Sequence, residues 1–186
     1  MADIHYTIQF FSYWHCGSGL AAGADIDALV VKDKNGLPYV PGKTMKGLVR
    51  EAVMTLSAFK KEDRQDLLKE SFGYFDDAEK AGKGCMFFTN AELATDEQKA
   101  IVDHHYQHHL YDSVASTAIM SNGIAKDHSL RKVEVVVPCT LEGKIKDVPA
   151  DLVNVLLDAL KFVKRLGVNR NRGLGRCSIA GKEVRE

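Results

Sequence analysis

The sequence predicts a single α+β domain whose core runs strand, helix, strand, strand, helix, strand. Three observations predict it. The chain opens on alternating apolar and polar residues from Ile4 to Phe10, the period of a half-buried strand. Apolar residues then recur at helical spacing twice, once after Pro41-Gly42 and once after Pro149. Between and after those two stretches lie short apolar runs bounded by turn residues, which read as the remaining strands.

Taken in order, Ile4-His5-Tyr6-Thr7-Ile8-Gln9-Phe10 is the first strand, and residues 17–23, rich in small side chains, form a loop. Residues 28–32 read as a short strand, Lys34-Asn35-Gly36 as a turn, and residues 37–40 as the return. Pro41-Gly42 breaks that run. A helix follows from Thr44, with Met45, Leu48, Val49, Ala52, Val53 and Leu56 on its apolar stripe. A second helix is expected over residues 62–71, ended by Gly73, and a strand over residues 85–89. Residues 95–110 read as a polar helix, and residues 111–127 have no clear period. The stretch 90–128 is therefore expected to be an insertion in one domain spanning residues 1–186. Residues 130–137 and 139–145 read as two strands around Pro138. Pro149 suits the start of a helix whose stripe is Leu152, Val153, Leu156, Leu157, Leu160 and Val163. Gly167 ends it, and residues 174–179 close the domain as a strand. This order is the ferredoxin-like pattern, shared by RNA-recognition domains and by many proteins of other function.

With 45% hydrophobic and 27% charged residues, the composition is that of a globular domain with a real core. No apolar stretch approaches the roughly 20 residues that cross a bilayer, so no membrane partner is expected. The start, Met1-Ala2-Asp3-Ile4-His5, has neither the basic opening nor the apolar run of a secretion signal. Cys16, Cys85, Cys139 and Cys177 lie far apart and form no C-x-x-C pair, which fits free thiols in a reducing compartment. The expectation is a cytoplasmic protein.

Lys plus Arg equals Asp plus Glu, 25 against 25, so net charge says nothing about nucleic acid. Its distribution does. Between Ala159 and Lys182 there is no acidic residue, while Lys161, Lys164, Arg165, Arg170, Arg172, Arg176 and Lys182 are basic. Within that stretch, Gly167-Val168-Asn169-Arg170-Asn171-Arg172-Gly173-Leu174-Gly175-Arg176 joins a helix to a strand. Glycines there permit positive φ or close approach of the backbone. Arg170, Arg172 and Arg176 offer planar donors for phosphates and base faces. The plainer alternative is a helix-to-strand turn with solvated arginines.

The second motif is Pro41-Gly42-Lys43-Thr44-Met45-Lys46-Gly47-Leu48-Val49-Arg50. Thr44 is placed to cap the helix, and the first-turn amides with Lys43 and Lys46 would suit an RNA backbone. The spacing of a Walker A loop is absent, and a plain helix start is the alternative.

Together these motifs resemble the RAMP superfamily of CRISPR-associated proteins, and more narrowly the backbone subunit of type III (Csm/Cmr-type) effector complexes. Phe72-Gly73 followed by Gly84-Cys85-Met86-Phe87-Phe88 adds a third matching stretch. The resemblance implies a ferredoxin-like palm, copies stacked along a CRISPR guide RNA, a target RNA paired to that guide, and contact with other effector subunits. It makes Lys43, Thr44, Lys46, Arg50, Arg170, Arg172, Gly173, Gly175 and Arg176 the RNA-binding residues. In catalytic members an aspartate in the loop before Pro-Gly supports cleavage of the target with a divalent metal ion such as Mg or Mn. Ile26-Asp27-Ala28-Leu29-Val30-Val31-Lys32-Asp33 fits that place, which makes Asp27 the catalytic and metal-binding candidate, with Asp25 as a neighbouring competitor and His15 as a possible assistant. A thumb that wedges between guide–target base pairs is expected between about Ser113 and Leu130.

The chain departs from the family in carrying Lys43-Thr44 where two serines are common, and Ile119-Met120-Ser121-Asn122-Gly123 in the thumb region. Two other readings stay open: a structural subunit that cuts nothing, and a metal-independent RNA-processing enzyme acting through His15. His104, His105, His108 and His109 form two i,i+4 pairs if helical, a spacing that can hold a transition metal, with Asp103 or Asp112 as possible completing ligands. A polar helix face explains them more simply.

Overall fold

The computed structural model describes residues 1–23, 25–61, 64–75 and 81–184. Its elements are β1 (Ala2–Phe10), α1 (Gly42–Lys60), α2 (Gln65–Phe72), β2 (Tyr74–Phe75), β3 (Ala81–Gly82), β4 (Phe87–Phe88), α3 (Thr95–Asp103), β5 (Tyr111–Ser116), β6 (Arg131–Val136), β7 (Thr140–Val148), α4 (Val153–Phe162) and β8 (Cys177–Val184). Glu62 and Asp63, the expected start of the second helix, lie outside the described residues.

The core sheet is antiparallel throughout, in the order β4-β7-β1-β8. With α1 between β1 and β4, and α4 between β7 and β8, this is the ferredoxin-like α+β fold. Alternation on β1 buries Ile4, Tyr6, Ile8 and Phe10, and on β7 it buries Leu141, Gly143, Ile145 and Val148. α1 and α4 cover that face with Met45, Val49, Ala52 and Val53 from one helix and Val153, Leu156, Ala159 and Leu160 from the other. Tyr6 pairs in register with Gly143 and Gly181 on either side. A Cβ at Gly143 would strike the Tyr6 ring, so that glycine makes room for an aromatic ring in the middle of the sheet.

Three expectations change. Residues 28–32 form isolated bridges, with Gly17, Val133 and Pro38 as partners, and no ladder. The turn after them is as expected, with Asp33 Oδ1 accepting the N–H groups of Asn35 and Leu37 at 2.9 and 2.8 Å. The helix expected to reach Leu110 stops at Asp103, because His105 takes φ 58° and the chain continues as a 3-10 turn over Gln107–Leu110. Tyr111–Ser116, for which the sequence showed no clear period, is a strand paired with Arg131–Val136 in a separate two-stranded sheet. That ladder shows no clean alternation because neither of its faces is wholly buried. The first of the two strands around Pro138 therefore belongs to this hairpin, and only the second joins the core sheet.

The hairpin continues past its ladder to a tip held by the Ile119–Ala125 bridge and a turn at Asn122-Gly123. Ile119, Met120, Ile124 and Leu130 are exposed along it.

Candidate nucleic-acid interface

α1 starts at Gly42, two residues earlier than the sequence suggested. Pro41 is its cap residue, and its carbonyl accepts the N–H groups of Thr44 and Met45 at 2.9 and 3.1 Å. Thr44 makes no capping hydrogen bond. The Gly42 N–H is donated to Asn90 Oδ1 at 3.0 Å, so most first-turn amides are already occupied. Gly42 is buried, and a Cβ there would run into the Phe88 carbonyl. Pro41-Gly42 is thus explained by the packing of α1 on β4. What remains for a ligand is charge: Lys43 and Arg50 are exposed, and Lys46 and Thr44 are half-buried.

The arginine loop, residues 167–176, is clasped to the segment that follows β1. Val168 N–H donates to the His15 carbonyl at 2.9 Å, and Gly175 N–H to the Tyr13 carbonyl at 2.7 Å. Phe11 N–H donates to the Arg176 carbonyl at 2.8 Å, and Arg176 N–H to Ser12 Oγ at 3.0 Å. Gly167 and Gly175 take φ 96° and 68°, and a Cβ on either would overlap the carbonyl of His15 or Leu166. Those two glycines serve close approach to the chain itself. Gly173, at φ 94°, has open space around it and is the loop glycine left to face a ligand. Arg170, Arg172 and Arg176 are all exposed.

The two motifs are brought together. Arg170 Nη2 lies 3.8 Å from Glu51 Oε1 on α1. Between them runs a groove of about 440 Å³ lined by Glu51, Thr55, Lys164, Arg165, Arg170 and Asn171 among others.

Asp27 sits elsewhere. Its N–H donates to the Lys132 carbonyl at 2.8 Å, and its Oδ2 accepts the Lys132 N–H at 2.8 Å. Its Oδ1 is 3.6 Å from Arg131 Nη1, with both side chains substantially exposed. It therefore marks the point where the loop meets the base of the hairpin. The arginine loop lies at the Val136 end of β6, where Trp14 pairs; Lys132 and Val136 are roughly 13 Å apart at about 3.3 Å per residue. Asp27 and the arginines therefore lie apart.

A buried junction sets the Asp27 loop on β6, and the sequence reading missed it. Glu134, only 8% exposed, accepts the Val30 N–H at 3.0 Å and pairs with Lys32 Nζ at 2.7 Å. Lys32 also lies 3.9 Å over the Tyr111 ring. A lone glutamate inside the run Val133-Glu134-Val135-Val136-Val137 was the available signal, since a buried charge needs a partner.

His15 is buried, with Nδ1 at 2.6 Å from the Glu134 carbonyl, a packing role that gives it no access to a substrate. Asp25 is exposed. The helix break separates the i,i+4 histidine pairs, although the His108 and His109 rings still lie 3.9 Å apart. Asp112 accepts the Ser113 N–H and the Tyr13 hydroxyl, which hold its carboxyl below the ordinary range. Among the described residues no three of His, Cys, Asp and Glu come together as a metal cage. Asp27 contributes one carboxylate and is part of no such group among the described residues. Nor, among the described residues, is any helix long and apolar enough to cross a membrane.

Fold and surface define a ferredoxin-like domain with an arginine- and glycine-rich loop laid against its first helix. The chain belongs to the RAMP superfamily, whose family model matches residues 7–178. It is similar in fold to a chain of the type III-B Cmr-beta complex bound to cognate target RNA, with a TM-score of 0.71 at 11% identity, covering 96% of each chain. It is similar also to a chain of type III-B Cmr-beta in the apo state, with a TM-score of 0.73 at 13% identity, covering 99% of this chain and 98% of the other. No curated protein sequence matches it.

Proposed function

We propose that this chain is an RNA-binding subunit of a cytoplasmic type III CRISPR effector complex, holding the guide RNA along α1 and the arginine loop. The observation that carries this reading is the meeting of the two motifs across one groove, marked by Arg170 and Glu51. Lys164, Arg165 and Arg170 line it with donors for phosphate oxygens, and exposed Arg172 and Arg176 lie on the same loop as Arg170. Membership of the RAMP superfamily and the fold shared with chains of a target-RNA-bound complex support the same reading. Copies would stack along the guide beside other effector subunits, with the exposed apolar hairpin tip as the wedge between guide–target base pairs.

Asp27, at the base of that hairpin, is the proposed cleavage residue. Its part would be to align the target strand so that a 2′-hydroxyl attacks the adjacent phosphorus while the bond to the 5′-oxygen breaks. Any divalent ion, Mg or Mn, would be shared between Asp27 and the RNA phosphates and so belong to the substrate complex. Arg131, now paired with Asp27, is free to turn to a phosphate when RNA arrives.

The test is the assembled complex with a complementary RNA and Mg or Mn. Regular cleavage that disappears with Asp27→Asn, while RNA binding persists, supports the catalytic role. Unchanged cleavage removes the nuclease assignment and leaves a structural subunit.

A further inference from the structure

On the other side of α1 from the arginine loop lies a second groove, of about 630 Å³, between α1 and α2. Lys61, at the end of α1, takes a left-handed conformation with φ 56° and returns its N–H to the Ser57 and Ala58 carbonyls. That turn sends the chain into α2 and opens a cleft between the two helices. Met54, Ala58 and Leu68 line it, with Arg50, Lys61, Arg64 and Lys69 around them. Met54 is 52% exposed, although it is a large apolar side chain in mid-helix.

An apolar patch ringed by cations fits a ligand that is flat and apolar in one part and anionic in another. Lys69 is partly engaged by Asp66 at 3.6 Å. Arg50 and Lys61 have no ion pair among the described residues, so their charge is available. We infer that this groove takes one nucleotide of the bound RNA, with the base on Met54 and its phosphate held by Arg50 and Lys61. A methionine thioether adapts to a flat ring face, and an apolar contact of that kind makes no hydrogen bond that reads the base. The volume lies within the range of small-molecule sites.

Position supports the same occupant. Lys43, Lys46, Arg50, Met54 and Ala58 follow one another at three- or four-residue steps, so they share one face of α1, and Lys61 follows at its C-cap. The groove therefore stands at the end of a cationic track that starts at Lys43 and Lys46 on α1. A partner helix is a poorer fit, because it would set apolar anchors at i, i+3, i+4 and i+7, and the cleft offers three small apolar contacts inside a ring of charge.

The inference rests on the RNA-binding reading, and the experiment separates their failures. Single-stranded RNA carrying 4-thiouridine is bound to the purified chain, crosslinked by light, and the attached peptides are mapped. Affinity and salt dependence are measured for Met54→Asp and Lys61→Ala beside Arg172→Ala. The expected result is crosslinking within residues 50–69 and a loss of about tenfold for Met54→Asp with unchanged thermal stability. Lys61→Ala should lower the slope of log affinity against log salt by about one. If Arg172→Ala weakens binding while both groove variants bind as the parent does, the groove has another occupant and the inference is wrong. Groove variants that only weaken association with a second protein chain overturn it as well. If the parent chain binds no RNA, the broader reading fails with it.

Discussion

Asp27 and Lys132 are joined twice, by a main-chain hydrogen bond from Asp27 to the Lys132 carbonyl and by the Lys132 N–H donating to the Asp27 carboxylate, each at 2.8 Å. The proposed cleavage residue is therefore also the pin that fixes its own loop to the hairpin. Two substitutions separate these roles. Asp27→Asn keeps an oxygen to accept the Lys132 N–H, so stability should stay within about 0.5 kcal/mol while cleavage is lost. Asp27→Ala removes the acceptor and should cost about 1 kcal/mol as well. Urea unfolding beside a cleavage assay checks both. Equal stability for the two variants would mean that the side-chain bond contributes nothing to the fold.

The Lys32–Glu134 junction predicts an asymmetric pair of variants. Lys32→Met leaves a buried carboxylate with only the Val30 N–H as partner, and should destabilise by roughly 2–3 kcal/mol. Glu134→Gln keeps that acceptor and removes the charge, and should cost about half as much. Thermal melts of both, with the double variant closing the cycle, read the coupling directly.

Loop glycines should divide by what surrounds them. Gly175→Ala and Gly167→Ala combine positive φ with overlap against a carbonyl, and each should cost more than about 3 kcal/mol. Gly173→Ala meets only the backbone penalty, about 1 kcal/mol. A melting series on the three variants tests that ranking.

Alkaline pH should weaken the fold. Burial pushes Cys139 and Cys177 up to about 11 and Cys16 to about 12, against 9.0 for a free thiol. Burial also raises the Tyr6 and Tyr111 hydroxyls above their usual range. The unfolded chain then loses protons that the folded chain keeps, so stability is full below pH 9 and falls as pH rises from there. Denaturation midpoints at pH 7.5, 9 and 10.5 should decline in that order. Exposed Cys85 should be the one thiol that a soluble reagent labels in the folded protein near pH 8.

Much of this was legible in the sequence because the core elements carry clear periods. The alternation from Ile4 to Phe10 and the two apolar stripes on α1 and α4 gave the sheet and its helices. The hairpin was only half legible. Residues 131–136 are apolar enough to read as a strand, but Tyr111–Ser116 has no wholly buried face and so no strict alternation. The histidine run looked helical because a period cannot show that His105 leaves the helix at positive φ. At the proposed RNA-binding surface, residue type identified the arginines, whereas the use of Gly42, Gly167 and Gly175 for internal close approach depends on partners distant in sequence. The Glu134 junction was hidden for the same reason, since Lys32 and Val30 are about a hundred residues from it.

The central claim is that RNA lies along α1 and the arginine loop, and salt-dependent binding of single-stranded RNA tests it most directly. Arg172 and Arg176 are the variants of choice, because removing Arg170 would also release the Glu51 carboxylate. For Arg172→Ala combined with Arg176→Ala, affinity should fall by roughly tenfold or more across all sequences, and the slope of log affinity against log salt by about 1.4. An affinity and a slope equal to those of the parent chain would contradict the account.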